Sequence, residues 1–370
     1  MGRFVNAFRG TLLGAAFALT ALSGSAEAKD YLLTGIKPDK LVLVDAESRK
    51  VERVYEVPNS KPGLGVITPS PDGKVAYALV NRWESVSGID LDSGKEVFRA
   101  DMSSGEERVK SVLGMDVSPD GSELAVFQSP VKLMPGEFEI QPTRIAIYDT
   151  SSGINAKPMR VIPAPRQVTL VTYSTDGSRL YLLGRSVHVV DAKTGDILET
   201  HKTQGWDRPN FHNPDVLDVW SQWEQAATLS TPYYTVRKDK ALDDPEAYVT
   251  GILTVDLNSG EFTIKDVENT AVFYFSSVVN PVRRNEVYGV YNTLAKFDLN
   301  TADTMKSVKS ISLDHSYYAI NVSSDGKELY IGGTLGDIAV YSTETLERTG
   351  TIKMPGDANM GIAALRVIKR

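Results

Sequence analysis

The chain repeats itself, and the repeat restricts the fold more than any other property of the sequence. An apolar run ending in Asp, a turn holding Ser or Thr and often Gly, and a second strand-like run recur along it. The copies are VDAES at Asp45, IDLDSG at Asp90, YDTSSG at Asp149, VDAKTG at Asp191, VDLNSG at Asp256 and FDLNTA at Asp298. A seventh, YSTET, places Ser342 where the others have Asp. Successive copies are 45, 59, 42, 65, 42 and 44 residues apart, and a spacing of about 50 residues suits one four-stranded propeller blade. The turn residues have a mechanical role: Asp and Ser side chains hydrogen-bond the backbone two residues on, and Gly supplies positive φ.

A second turn precedes most of these hairpins: SPDG from Ser70, SPDG from Ser118, STDG from Ser174 and SSDG from Ser323, with a degenerate NPVRRN from Asn280. Asp-Gly between strand-like runs is a strong hairpin signal. Each blade then has four strands, A to D, with the Asp-Gly turn between A and B and the Asp-x-x-Ser/Thr turn between C and D. At the N-terminus three strands, 31–36, 40–45 and 51–57, lack a strand A, while the C-terminal apolar run 361–368 lacks partners. The expectation is an all-β fold, a seven-bladed β-propeller closed by pairing the C-terminal strand with the N-terminal blade, which removes the exposed sheet edges.

Three segments exceed the blade pattern: 128–144 between strands B and C of one blade, and 201–214 and 236–248, before strand A and between B and C of another. B–C loops and D–A connections emerge on one face of a propeller, so all three decorate the same face. Long loops are cheap in entropy, yet three on one face and none on the other marks that face as the working one.

Residues 1–28 read as an export signal: Arg3 and Arg9 in a positive start, an apolar stretch over 10–22 and a small-residue cleavage site at Ala26-Glu27-Ala28, leaving a propeller over 29–370. The apolar stretch is short of the roughly 20 residues a spanning helix needs, so an exported chain without a membrane span is expected. Processing removes Arg3, Arg9 and Glu27, so the formal charge of −7 becomes −8. That balance gives no support for nucleic-acid binding, which needs a clustered basic face. The chain has no cysteine, which excludes a thiol nucleophile, a thiolate zinc or iron–sulfur site and C-x-x-C-H haem attachment.

The residues offer a surface and no catalytic constellation. His188 falls in a strand, and His201 and His212 fall in a long loop without H-x-x-x-H or H-E-x-x-H spacing. Neither a G-x-S-x-G elbow nor a phosphate-binding Gly-rich loop is present. Aromatic residues are the remaining signal. Phe273-Tyr274-Phe275 and Tyr317-Tyr318 sit where the chain enters inner strands, and Trp220, Trp223, Tyr233 and Tyr234 flank the largest insertion. Core packing accounts for many such rings, but neighbours on a strand point opposite ways, so one ring of each pair is free to meet a partner surface or the channel.

Several strings outside the turns resemble one family: AVFYFSSVVNP (271–281), LDHSYYAINVSSDG (313–326), GGTLGDIAVYSTETLE (332–347), GEERVKS (105–111), IQPTRIAIYD (140–149) and PDVLDVW (214–220) are similar to the β subunit of quinohemoprotein amine dehydrogenase. The resemblance runs over most of the mature chain and does not extend to 203–212. It implies a periplasmic heterotrimer that oxidises primary amines to aldehydes. A small gamma subunit carries a cysteine tryptophylquinone, and an alpha subunit, a diheme cytochrome c, carries two c-type haems that pass on the electrons. The propeller would hold no cofactor, support the quinone subunit and help wall the amine cavity. On that basis Phe273, Phe275, His315, Tyr317 and Tyr318, with Trp220 and Tyr233 nearby, are the candidate residues for the partner interface and the cavity mouth. The heavy subunit of methylamine dehydrogenase and a stand-alone exported propeller of the YVTN-repeat type are the alternatives; the export signal argues against a propeller lactonase.

Overall fold

The computed structural model describes residues 1–2, 28–111, 113–216, 225–267, 272–301, 304–333, 335–360 and 365–370. Most of the candidate export signal and Trp220 lie outside the described residues. Seven sheets follow one another along the chain, and the fold is an all-β, seven-bladed propeller. In blade 1 the strands Asp30–Ile36, Lys40–Asp45 and Lys50–Glu56 are joined on the inner side by the C-terminal strand Leu365–Lys369. Leu32 lies opposite Val367 and Thr34 opposite Leu365, so the two ends of the chain share one sheet.

Blade strands carry apolar residues on both faces because both faces are covered. In blade 1, Leu32, Val42 and Val44 pack toward blade 7, against Ile338, Val340 and Ile352. Their alternates Leu33, Leu41 and Leu43 pack toward blade 2, against Ile67, Ala76 and Ala78. The period-two geometry of a strand thus serves two cores, and apolar layers of this kind fill the spaces between neighbouring blades around the ring.

The turns work as their composition demands. In blade 4 the Ser174 hydroxyl donates to Asp176 at 2.6 Å and accepts from the Arg179 N–H at 3.0 Å; Ser70, Ser118 and Ser323 make the same pair of bonds in their blades. Each Asp of the second turn accepts from a backbone N–H two or three residues on, as Asp191 does from Thr194 at 2.7 Å. Ser342 substitutes for Asp by accepting from the Glu344 and Thr345 N–H groups at 3.2 Å. In the degenerate turn, Asn280 Oδ1 takes the same role, accepting from Val282 and Arg283.

The inner strands are tied to one another by polar side chains. Thr68 Oγ1 of blade 2 donates to the Met115 carbonyl of blade 3 at 3.1 Å, and Asp116 of blade 3 accepts from the Tyr173 N–H of blade 4 at 2.8 Å. Asn321 of blade 7 donates to the Leu365 carbonyl of blade 1 at 2.9 Å, and Arg366 of blade 1 donates to the Ile67 carbonyl of blade 2 at 2.8 Å. All four side chains are buried. Inner strands converge on the axis and expose backbone groups toward it; these side chains satisfy some of those groups and step the contact from one blade to the next.

The excess over 128–144, read from sequence as a loop, is largely strand. Strand B of blade 3 runs on as Glu123–Met134, reverses at Pro135-Gly136 and returns as Glu137–Ile140, while Glu107–Lys110 pairs along the other edge. Alternating Val131, Leu133, Phe138 and Ile140 give this arm a strand period, and Gly136 at φ 84° makes the reversal. Phe138 and Ile140 are 70% and 64% exposed, so the arm presents apolar side chains to solvent.

Candidate functional site

Strand register fixes which way the insertions face. The Asp turns close the strand ends at Asp149 and Asp256, and the excess segments lie at the opposite ends, beyond Gln128–Arg144 and Val236–Tyr248. The segment 201–214 folds over the same end of blade 5, where the Thr235 hydroxyl donates to the His212 carbonyl at 2.6 Å.

On this face the inner ends of blades 5, 6 and 7 bring five rings together. Tyr234 stacks on Phe273 with centroids 4.4 Å apart, and Phe273 meets Phe275 edge-on at 4.9 Å. Phe275 in turn meets Tyr291 at 4.6 Å and Tyr318 at 5.1 Å. Phe273 is 40% exposed and the other four are half-buried, so the cluster is a surface. Beside it a cavity of about 420 Å³ is lined by Tyr234, Asp243, Pro245, Tyr248, Val272 and Phe273 among others. The Tyr234 hydroxyl bonds both backbone groups of Tyr274, and burial pushes its pKa up. The ring is thereby fixed as a neutral wall.

Alternation decides which ring of each pair reaches the surface. Tyr318 and Tyr234 do; Tyr317 and Tyr233 are fully buried. The surface placement expected for Tyr317 and Tyr233 is therefore corrected: their sides of the strands face a neighbouring blade. Tyr233 lies against Gly251, where a Cβ would come within 2.3 Å of its ring, and it donates to Asp266. Asp266 also takes two bonds of 2.7 Å from Arg208, whose guanidinium lies 3.9 Å from the Phe211 ring centroid and 4.6 Å from that of Trp206. This chain of contacts clamps the 201–214 segment onto blade 5.

His315 belongs to a polar network on the connection that precedes Tyr318. Its imidazole packs on Tyr317 with centroids 4.0 Å apart, and Nδ1 lies 3.0 Å from Asp314. Arg348 spans Asp314 at 2.8 Å and Asp337 at 3.2 Å. Burial pushes the Asp314 carboxyl up, but the Arg348 bond and the charges of His315 and Arg348 outweigh it and hold the group below its ordinary range. The network fixes the connection that delivers Tyr318 to the surface.

Of the sequence candidates, then, Phe273, Phe275 and Tyr318 come together, His315 and Tyr317 pack on each other beside them, Tyr233 anchors the neighbouring loop, and Trp220 is outside the described residues. Tyr291 and Tyr248 were missed. Tyr291 ends strand B of blade 6 directly opposite Tyr274, and the hairpin register would have placed it at the same rim. Among the described residues no group of three His, Cys, Asp or Glu side chains is arranged to hold a metal ion, and no helix is long and apolar enough to cross a membrane.

No protein-family model matches the chain, and no curated protein sequence does either. Solved structures do. Hydrazine synthase from Kuenenia stuttgartiensis is similar over 92% of this chain and all of that one, with a TM-score of 0.59 and 15% identity. A functionally unknown protein from Desulfotomaculum acetoxidans DSM 771 is similar over 91% of this chain and 98% of that one, with a TM-score of 0.60 and 12% identity. At such identities the likeness concerns the fold, and it places the chain among propeller proteins.

Proposed function

We propose that this chain is the cofactor-free propeller subunit of a periplasmic quinohemoprotein amine dehydrogenase, and that the ring cluster of blades 5 to 7 is where the quinone-bearing gamma subunit sits. The observation that carries the reading is the cluster itself: five contiguous, half-exposed rings on the inserted face, three of them within the strings that resemble that family. Aromatic side chains concentrate at the centres of protein interfaces because they bury large area at little entropy cost. The apolar arm at Phe138 and Ile140 on the same face supports a large partner.

In this reading the propeller contributes no reacting group. It positions the subunit carrying cysteine tryptophylquinone, and the cavity edged by Tyr234, Tyr248 and Phe273 would admit the primary amine. The diheme cytochrome c alpha subunit completes the assembly. The test is co-purification from the native host, with Phe273→Ala and Tyr318→Ala introduced singly. Both should leave the melting temperature of the isolated propeller within about 4 °C of the parent, since half-exposed rings carry little of the core. Recovery of the complex, or its kcat/KM for amines, should fall about tenfold or more, as truncation of a central interface ring does. Unchanged assembly and turnover in both variants would refute the reading.

A further inference from the structure

A second cavity opens on the same face, over the junction of blades 1 and 2, and it differs in chemistry from the aromatic one. It encloses about 400 Å³, within the range of small-molecule sites. Its position follows from the register, because Ile36 opposite Lys40 and Val80 opposite Ser85 are strand ends remote from the Asp turns. Ile36, Leu64 and Met360, exposed by 4%, 5% and 2%, form an apolar floor with the half-buried Trp83. The charged lining consists of Lys37, Arg82 and Lys110, with no carboxylate among the lining residues. Lys110 reaches Glu84 at 4.0 Å, but that carboxylate also serves Arg108 at 3.4 Å. Three cations around one apolar hollow run against the charge of a chain that is −7 overall.

The backbone bends to build this rim. Asn81, Arg82 and Trp83 are consecutive left-handed residues at φ 53°, 54° and 68°, a conformation that costs energy at each non-Gly position and persists where the surroundings enforce it. Gly65 makes room for the result: a Cβ there would lie 2.8 Å from Trp83 Cδ1 and Nε1. The strain sets the Trp83 indole against the floor and Arg82 at the rim, instead of letting the turn relax.

We propose that this pocket binds a small amphipathic carboxylate, its apolar body on Trp83, Leu64 and Met360 and its anionic head among Lys37, Arg82 and Lys110. A cation would meet three like charges, and a neutral molecule would leave the head-group donors unanswered. None of its lining residues belongs to the docking surface proposed for blades 5 to 7.

The probe is decanoate, titrated into the purified chain and followed by calorimetry and tryptophan fluorescence, with decylamine and decanol as head-group controls. Decanoate should bind, Trp83→Phe should remove its fluorescence response, and Arg82→Asn and Lys37→Gln should each weaken it roughly tenfold with unchanged melting temperature, as loss of a charge-assisted contact does. Asn is chosen at position 82 because it tolerates the left-handed backbone. Decylamine binding as tightly as decanoate, no response from Trp83, or affinities unmoved by both charge removals would each overturn the proposal.

Discussion

Deleting residues 365–370 tests whether the ring depends on its closing strand. Leu365, Val367 and Ile368 are exposed by 0%, 1% and 5%, and burying each apolar side chain is worth about 2 kcal/mol, so the three together contribute about 6 kcal/mol. Arg366 and the Leu365 carbonyl add the ties to blades 2 and 7, and the ladder with Asp30–Thr34 is lost as well. A domain of this kind has about 5–15 kcal/mol to lose, so the truncated chain should melt at least about 10 °C lower or fail to stay soluble, because an inner strand edge is opened toward the axis. Point variants calibrate the result. Val367→Ala should cost about 2 kcal/mol, whereas Lys369→Ala, at the exposed end of the strand, should be nearly silent. Size-exclusion chromatography and thermal melts of the four proteins provide the readout. A monomeric truncated chain melting within about 3 °C of the parent would show that pairing of the chain ends does not hold the ring.

Two further outcomes follow from the geometry. The Ser174 hydroxyl, with the Ser178 N–H and hydroxyl, holds the Asp176 carboxyl at about 2; its folded pKa is depressed, so its stabilising effect is complete above the unfolded value of about 3.9 and is lost as pH falls from about 4 to 2. Carboxyl NMR titration should show Ser174→Ala moving Asp176 toward about 4, and a wild-type midpoint already near that value would contradict the turn's account. Arg208→Met should leave Asp266 with one partner fewer, costing about 2 kcal/mol for a partly buried pair, and should make the 201–214 segment the first site of limited proteolysis; an unchanged cleavage pattern would show that the clamp is idle.

How much of this was legible in sequence depended on how far each residue's partner lies along the chain. The Asp and Ser turns were readable because their hydrogen bonds close within five residues, and Ser342 was recognisable in the Asp position because a hydroxyl oxygen accepts the same N–H groups. The closing strand was readable from an unmatched apolar run and a blade lacking strand A. The inner ties were not, although Thr68, Asp116 and Asn321 each stand two residues before the serine of an Asp-Gly turn. Their partners are on the next blade, so the position reads locally as an interruption in a strand. The same limit explains Tyr233 and Tyr317: alternation says one ring of each pair faces out, but which one depends on where the neighbouring blade packs. The arm at 131–140 was hidden differently, since its strand period was present but its apolar side faces solvent and looked like loop.

The two faces of the ring differ in what their side chains answer. On the Asp-turn face the side chains answer their own backbone, as Asp45, Asp90 and Asp298 do. On the other face the chain carries features that cost stability: exposed Phe138 and Ile140, half-exposed rings at blades 5 to 7, and three left-handed residues beside Trp83. Such costs persist where the rest of the fold has stability to spare. The blade cores, the satisfied turns and the inner ties supply it, and the separation of an aromatic sector from a cationic one means that a protein partner and a small anion would find different places on one surface. Occupancy of the pocket at Arg82 should then leave the ring resonances of Tyr318 unshifted, and a shift would show that Gly332 and Gly333, which lie against Met360 and Tyr318, couple the two places.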